Sequence, residues 1–264
     1  MRKRSELILE LVDSGFPTSY KDLAKSLGVS PMTIRRDCEE LARAGKIIRT
    51  LGGILRADPM LEFYEKTTPE RIGVNTIEKH AIARKALELI KPPCTVFIDG
   101  STTGLALAKL IDKDLRDLTI VTHSLLVCLA MTSGLNTTIC AGGEFELRSL
   151  CLVGSETERF AKSIFIDIAF VSATGFLPTE GTFESAPATF RIKQEVARQA
   201  SELVLLADHG KFGRRALSKV LDITQISHVV TDDQVSAEHV AILREAGIKV
   251  TVAPRSQDTF GRGS

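Results

Sequence analysis

The sequence predicts an α/β chain in two parts: a small helical head closed by a β-hairpin, then a larger domain built on a mainly parallel sheet. Three observations predict it. Apolar residues recur at helical spacing up to Leu41. Two β-branched runs then flank Gly52-Gly53, as in a hairpin. From Thr95 onward, short apolar runs alternate with helical stretches, the pattern of β-α-β units.

The chain has 264 residues, 44% of them hydrophobic and 25% charged, within the ordinary range of a globular protein. Roughly 150 residues per domain gives one or two domains. The net charge of +1 is unevenly spread. Residues 1–56 carry 11 Lys/Arg and 7 Asp/Glu (+4), while the remainder carries 23 and 26 (−3). A basic head on a mildly acidic body suits a DNA-contacting module joined to another domain. Cys38, Cys94, Cys128, Cys140 and Cys151 form no C-x-x-C pair and sit among apolar or small neighbours, so buried reduced thiols are expected. The histidines share no ligand spacing with them, and neither a metal nor a cofactor is expected. No run approaches the roughly 18 apolar residues of a membrane span. Met1-Arg2-Lys3-Arg4 does not open a signal peptide, so a cytoplasmic protein without a membrane partner is expected.

In the head, residues 1–56, Leu7, Ile8, Leu11 and Val12 mark a first helix that Gly15 stops. Ser19-Tyr20-Lys21-Asp22 reads as a capping box for a second, which carries Leu23, Ala24 and Leu27 inward. Gly28-Val29-Ser30 is a tight turn, with Ser30 capping a third helix and Pro31 at its first position. Ile34, Cys38 and Leu41 form the inward stripe of that helix. Met32, Arg36 and Arg43 point away from it, flanked by Thr33 and Arg35, although Glu39 and Glu40 also turn outward. An exposed Met-Thr-Arg-Arg cluster at a helix start is what a recognition helix presents to the major groove. Residues 46–56 add a wing whose Lys46, Arg49 and Arg56 suit phosphate. The head is thus a winged helix-turn-helix. Its expected DNA contacts are Lys21, Ser30, Met32, Thr33, Arg35, Arg36 and Arg49.

Residues 57–75, with Pro59, Pro69 and Gly73, read as a linker. Asn75 with Glu78 suits the start of a helix whose apolar face holds Ile82, Ala83, Ala86 and Ile90, before Pro92-Pro93. Residues 76–254 form the α/β domain, and 255–264 a loose tail. The strand-like runs are 95–98, 119–122, 137–141, 166–173, 203–207, 228–231 and 249–252. The helical ones are 103–112, 124–133, 155–163, 187–202 and 236–246. Parallel sheets bind ligands at the carboxyl ends of their strands. There Asp99-Gly100-Ser101-Thr102-Thr103-Gly104 enters a helix with glycine and hydroxyls, a setting for phosphate. Thr122-His123-Ser124, Ala141-Gly142-Gly143 and Asp208-His209-Gly210-Lys211 end further strands, the last bringing a cation. The expected effector contacts are Asp99, Gly100, Ser101, Thr102, Thr103, Thr122, Ser124, Gly142, Gly143 and Lys211, with Glu184 a weaker candidate.

Val29-Ser30-Pro31-Met32-Thr33-Ile34-Arg35-Arg36-Asp37, followed by Leu41, Gly45 and Gly52-Gly53, resembles the DeoR family of bacterial transcriptional regulators. Leu51 stands where that family usually has histidine. The segments Phe97–Thr103, Val121–Ser124, Ala141–Glu144, Gly181-Thr182 and Asp208–Gly213 resemble the family's effector domain, with His123 in place of a frequent asparagine and Gly210 in place of serine. The resemblance implies a sensor domain similar in fold to ribose-5-phosphate isomerase, a phosphorylated sugar as effector, operator DNA as partner and a homo-oligomer, dimer or tetramer. Gly142–Phe145, Ser172-Ala173 and Asp208-His209 are most similar to the branch that responds to deoxyribonucleosides, which implies a deoxyribose-phosphate-like effector. A repressor of sugar or nucleoside catabolism genes, with no catalytic residue, is the expected function. Two alternatives stay open. One is a sugar-phosphate isomerase carrying a DNA-binding head, drawing on Asp99, Glu184, Asp208 and Lys211. The other is a protein-binding adaptor, which steep salt dependence would separate from a DNA binder.

Overall fold

The computed structural model describes residues 4–12, 18–43, 47–49, 53–56 and 67–255. The chain divides into two bodies, Met1–Tyr64 and Glu65–Ser264. In the first, α1 (Arg4–Leu11), β1 (Thr18–Ser19), α2 (Tyr20–Leu27) and α3 (Pro31–Arg43) precede β2 (Ile47–Arg49) and β3 (Gly53–Arg56). Ser19 Oγ accepts from the Asp22 amide at 3.1 Å and donates to its carboxylate at 2.6 Å. Half of the expected capping box therefore forms, because Asp22 takes the hydroxyl proton instead of a backbone N–H. Gly28, at φ +63, closes α2 in the left-handed region that favours glycine. Ile8, Val12, Leu23, Ile34, Cys38, Leu41, Ile47 and Ile54 build one core. β2 and β3 pair antiparallel, Ile48 opposite Leu55. β3 also pairs β1, Thr18 opposite Ile54, a strand too short for periodicity to reveal. Gly15, Gly45, Lys46, Leu51 and Gly52 lie outside the described residues, as do the side chains of Arg43, Arg49 and Arg56.

In the second body come α4 (Thr68–Ile72), α5 (Thr76–Leu87), β4 (Thr95–Ile98), α6 (Thr102–Asp114), β5 (Thr119–Thr122), α7 (Leu125–Ala130), β6 (Thr137–Cys140), β7 (Glu144–Glu146), β8 (Cys151–Val153) and α8 (Ser155–Lys162). Then follow β9 (Ile166–Val171), β10 (Gly175–Leu177), β11 (Gly181–Glu184), α9 (Pro187–Gln199), β12 (Ala200–Leu206), β13 (Ser218–Asp222), β14 (His228–Asp232), α10 (Ala237–Glu245) and β15 (Lys249–Ala253). Seven strands form one sheet in the order β15-β14-β12-β9-β4-β5-β6, with every pairing parallel. From β4 the chain steps outward to β5 and β6. It then returns to the other flank of β4 as β9 and steps outward in the opposite direction. The sheet therefore reverses between β4 and β9, and a crevice opens at such a point beyond the strand ends.

Alternation along the strands covers both faces. Val96, Ile98, Ile120, Ile168, Phe170, Val204, Leu206 and Val230 pack with α5 and α6 through Ile82, Ala86, Leu107 and Ile111. Their neighbours Phe97, Val121, Ala169, Val171, Leu203, Leu205 and Val229 pack on the opposite face with Ile192 and Val196 of α9 and Leu243 of α10. A strand buried on both faces reads as a continuous apolar run, which is why these strands were legible.

Several expectations change. Residues 67–75 of the expected linker belong to the second body. Thr68 is 1% exposed, and its amide and hydroxyl donate to the carbonyls of Arg148 and Ser149 at 2.8 and 2.9 Å. The signal was local: the Thr67 amide and hydroxyl donate to Glu70 at 2.7 and 2.8 Å, a helix-start pair with Pro69 between them. The helix expected over 187–202 gives way to strand at Ala200, because Ala200 and Glu202 pair with Ile166 and Ile168 of β9. The antiparallel sheet β10-β11-β13 and the β7-β8 hairpin were not foreseen. Arg255 is not loose: its amide and Nε bond to Asp233 at 3.1 and 2.8 Å. Cys140 is exposed, because β6 is an edge strand, whereas Cys38 and Cys151 are buried; all five cysteines are free.

Replacing Phe170→Ala, at 0% exposure in the middle of the sheet, should cost about 3–5 kcal/mol of stability in urea unfolding. A loss below about 1 kcal/mol would contradict the packing of this face.

Candidate functional site

On the head, α3 presents the expected cluster. Met32 is 73% exposed, and Lys21, Arg35 and Arg36 are also exposed. Ser30 Oγ accepts from the Thr33 amide at 3.1 Å and shares a 2.8 Å hydrogen bond with the Thr33 hydroxyl. Both side chains thus fix the start of α3, which leaves Arg35, Arg36 and Met32 as its outward groups. The Arg35 guanidinium lies 5.5 Å from the centroid of Tyr20, which holds it at the helix surface. Asp37, the end of the Arg-Arg-Asp run, pairs with Arg4, whose Nη2 donates at 2.9 Å and ties α1 to α3. The arginines are exposed on α3, and the aspartate clamps α3 to α1.

In the second body, the point of reversal is built around Asp99, which is 0% exposed. Its Oδ1 accepts from the Ser101 amide at 3.0 Å, and its Oδ2 from the Ser172 amide beyond β9 at 2.8 Å. Lys193 of α9, 7% exposed, lies 3.3 Å from Asp99 Oδ2, donates to the Ser172 carbonyl at 2.7 Å and pairs closely with Glu184. Thr174 adds a hydroxyl to Glu184 at 2.7 Å. Burial alone would push the Asp99 carboxyl up; Lys193, the Ser101 hydroxyl and the amides of Ser172 and Ser101 outweigh it and hold it below the usual range. Asp99 is therefore a permanent anion joining two strand ends.

The loop above it is compact. Ser101 Oγ caps α6 by accepting from the Gly104 amide at 2.9 Å, and Thr102 and Thr103 are buried. A Cβ at Gly100 would sit 2.1 Å from the Cys151 sulfur, so only glycine lets the loop pass β8. His123 lies on the other side, its ring stacked on Phe97 at 5.9 Å. Burial holds its imidazole down to about 4, so it is neutral at neutral pH. Further along the edge, Asp208 accepts from the Gly210 amide at 3.1 Å and from Asn75 Nδ2 at 2.9 Å, shaping the short turn His209–Lys211. Burial and the charges of Arg71 and Lys193 pull the Lys211 ammonium down, against Asp208 and Glu184. Lys79 of α5 donates to the carbonyls of Arg71 and Val74 at 2.7 and 2.6 Å, and burial lowers it to about 8. His123 Nδ1, Ser149 Oγ and Ser185 Oγ are buried without a hydrogen-bond partner.

Other expected contacts have structural employment. The Thr122 hydroxyl donates to the Ile98 carbonyl at 2.7 Å and accepts from the Ser124 amide at 3.0 Å. Ser124 caps α7. The Gly142 carbonyl accepts from Thr157 at 2.6 Å, and a Cβ at Gly143 would lie 2.1 Å from the Thr157 hydroxyl. Lys193, Ser172, Lys79 and Arg71 were missed. The signal for Lys193 was its position: Thr189, Ile192, Lys193 and Val196 are all buried, so the lysine sits on the inward stripe of α9. Lys79 precedes Ile82 and Ala83 on the inward face of α5 in the same way.

An exposed, arginine-bearing helix on one body and a charged strand-end cluster on the other are the features of a helix-turn-helix transcription regulator with an α/β sensor domain. A model of the DeoR-like helix-turn-helix domain matches residues 4–59, and a model of the DeoR C terminal sensor domain matches residues 74–233. The HTH-type transcriptional regulator GolR of Listeria innocua is 31% identical over 95% of this chain and 98% of its own. The glycerol-3-phosphate regulon repressor of Escherichia coli is 33% identical over 87% of this chain and 90% of its own. Ribose 5-phosphate isomerase A from Methanocaldococcus jannaschii superposes with a TM-score of 0.38 at 15% identity, over 51% of this chain and 53% of that one. The chain belongs to the DeoR family of transcriptional regulators. Among the described residues, no helix is long and apolar enough to cross a membrane.

The His123 imidazole titrates at about 4 in the fold and near 6.5 when unfolded. The unfolded chain binds the extra proton first, so stability falls as pH drops from 6.5 to 4. Over that range His123 should account for about 3 kcal/mol of acid destabilisation. His123→Asn should flatten this part of the stability profile in urea melts; an unchanged slope would contradict a buried neutral histidine.

Proposed function

We propose that this chain is a repressor that reads an operator through α3 and releases it when a small phosphorylated sugar occupies the crevice between β4 and β9. The observation that carries the reading is electrostatic. Four cations (Arg71, Lys79, Lys193 and Lys211) gather at the strand ends with the carboxylates Asp99, Glu184 and Asp208, while Asp232, also buried at a strand end, accepts from the His209 amide at 2.7 Å and faces its Nδ1 at 2.9 Å. The remaining carboxylate felt by Lys79 is Glu78, exposed and bonded to Gln234. Like charges held together in partly buried surroundings raise the affinity for an added anion. The Gly100-Ser101-Thr102-Thr103 loop at the start of the 13-residue α6 supplies backbone donors for a phosphate. The buried groups of His123, Ser149 and Ser185 leave hydrogen bonds for sugar hydroxyls. The E. coli relative, named for glycerol-3-phosphate, supports an effector of the same chemical class. A sensor fits better than an isomerase, because Glu184 is tied to both Lys193 and Thr174 rather than free to move a substrate proton. Two-fold operators make a dimer or tetramer the working form.

With DNA selected from a random pool by the full chain, Arg36→Ala should weaken binding by about 1–3 kcal/mol. Wild-type affinity should fall linearly on a log–log plot against salt; binding indifferent to salt in an electrophoretic titration would sink the DNA reading. In the sensor, a sugar phosphate at 100 times its dissociation constant should add about 2.7 kcal/mol of stability. Lys211→Ala should abolish that gain in thermal melts, and the unphosphorylated sugar should give none. Equal stabilisation by both sugars would contradict phosphate recognition.

A further inference from the structure

β6 (Thr137–Cys140) closes one flank of the seven-stranded sheet, with β5 on one side and, among the described residues, no strand on the other. The Thr137 amide donates to the Leu118 carbonyl at 2.9 Å and the Ala141 amide to the Thr122 carbonyl at 2.8 Å. Backbone groups alternate in direction along a strand. Thr137, Ile139 and Ala141 therefore turn theirs to β5, and the amides and carbonyls of Thr138 and Cys140 point out from the edge. Edge strands that must stay single carry charges, prolines or bulges. β6 has none of these, and its register with β5 is regular. Leu118–Gly143 is a run of 26 residues without a Lys, Arg, Asp or Glu, in a chain that is 25% charged. The opposite flank is guarded: β15 opens with the exposed Lys249, and Arg255 just beyond it binds Asp233. Apolar side chains accompany the open edge. Leu135, just before β6, is 43% exposed, Ile139 within it is 37% exposed, and Leu129 on α7, which packs on β6, is 73% exposed. Asp112, which touches this stretch, is held by the Ser133 amide and hydroxyl at 3.0 and 2.7 Å.

We propose that the β6 edge is the surface through which two copies of this chain pair, antiparallel about a two-fold axis at Ile139, joining their seven-stranded sheets into one. The inference rests on the reading of this chain as a homo-oligomer and adds the surface that makes it one. A two-fold contact sets every group near its axis against its own copy, so a charged edge would meet like charge and an uncharged one meets none. That selects a second copy over a charged partner. With Ile139 on the axis, Thr138 of each copy lies opposite Cys140 of the other, and each of these pairs exchanges both backbone hydrogen bonds. Ile139 then meets its own copy as a non-hydrogen-bonded pair, with Cα atoms about 4.5 Å apart. Four residues of strand are too few to hold two chains alone, so the exposed leucines and isoleucine supply the remaining contact.

The test is sedimentation velocity of the full chain over a concentration series. Wild type should sediment as a dimer or tetramer. Thr138→Pro removes an outward amide without touching a bond to β5, and should raise the dissociation constant of this contact at least about tenfold. Dimers should then fall to monomers, or a tetramer to dimers. Ile139→Lys, which sets two ammonium groups against each other, should do the same and serves if the proline variant does not fold. A third variant reports the axis directly. Ile139→Cys in a Cys140→Ser background should cross-link between copies on mild oxidation with diamide, because the Cβ separation at such a pair suits a disulfide, and the Cys140→Ser chain alone should not. An assembly unchanged by Thr138→Pro and Ile139→Lys, without the cross-link, overturns the β6 edge while the homo-oligomer reading stands. A wild type that stays monomeric at every concentration overturns both.

Discussion

The second body depends on a carboxylate that solvent never reaches. Asp99 sits where the parallel sheet reverses direction, and it joins the ends of β4 and β9 through the amides of Ser101 and Ser172. A buried charge of this kind is tolerable only when its hydrogen bonds and counter-ion are complete. Lys193 completes them, and its own ammonium is then shared with Glu184 and the Ser172 carbonyl. One ion cluster thereby fixes the inner stripe of α9, the end of β11 and the approach of the Gly100 loop. Removing one partner of such a buried cluster typically costs about 3–5 kcal/mol, since it strands the other charge.

Regulation asks little energy of this arrangement. A coupling of about 1–3 kcal/mol changes DNA affinity about 5–150-fold. That is comparable to gaining or losing a few charge-assisted hydrogen bonds. The fold holds cations close together beside a capped, hydroxyl-lined loop. On α3, Ser30, Thr33 and the Arg4–Asp37 pair fix the helix start and its back.

Much of this was legible from residues alone, and the exceptions share a cause. The inward stripe Ile34, Cys38, Leu41 and the outward Arg35-Arg36 set the two faces of α3 by spacing. Strands buried on both faces left continuous apolar runs, and Asp99, Asp208 and Lys211 were visible as polar residues at strand ends. Thr122 and Ser124 were visible in the same way, yet their hydroxyls serve backbone groups of neighbouring strands and turns. Composition at a strand end cannot distinguish a hydroxyl offered to a ligand from one offered to a carbonyl. Lys193 and Lys79 escaped because their partners lie far away in sequence or on the protein backbone. The clue each lysine left was a charge on an inward helical face. α4 escaped because five residues are too few for periodicity, although Thr67, Pro69 and Glu70 marked its start.

The most direct test is the affinity of the full chain for its selected operator, titrated with phosphorylated and unphosphorylated sugars at fixed salt. The expected result is a saturable loss of affinity, about 5-fold or more, with one phosphorylated sugar and none with its unphosphorylated form. Operator affinity that stays constant while the same sugar phosphate demonstrably binds the sensor would contradict a strand-end site that gates the reading helix.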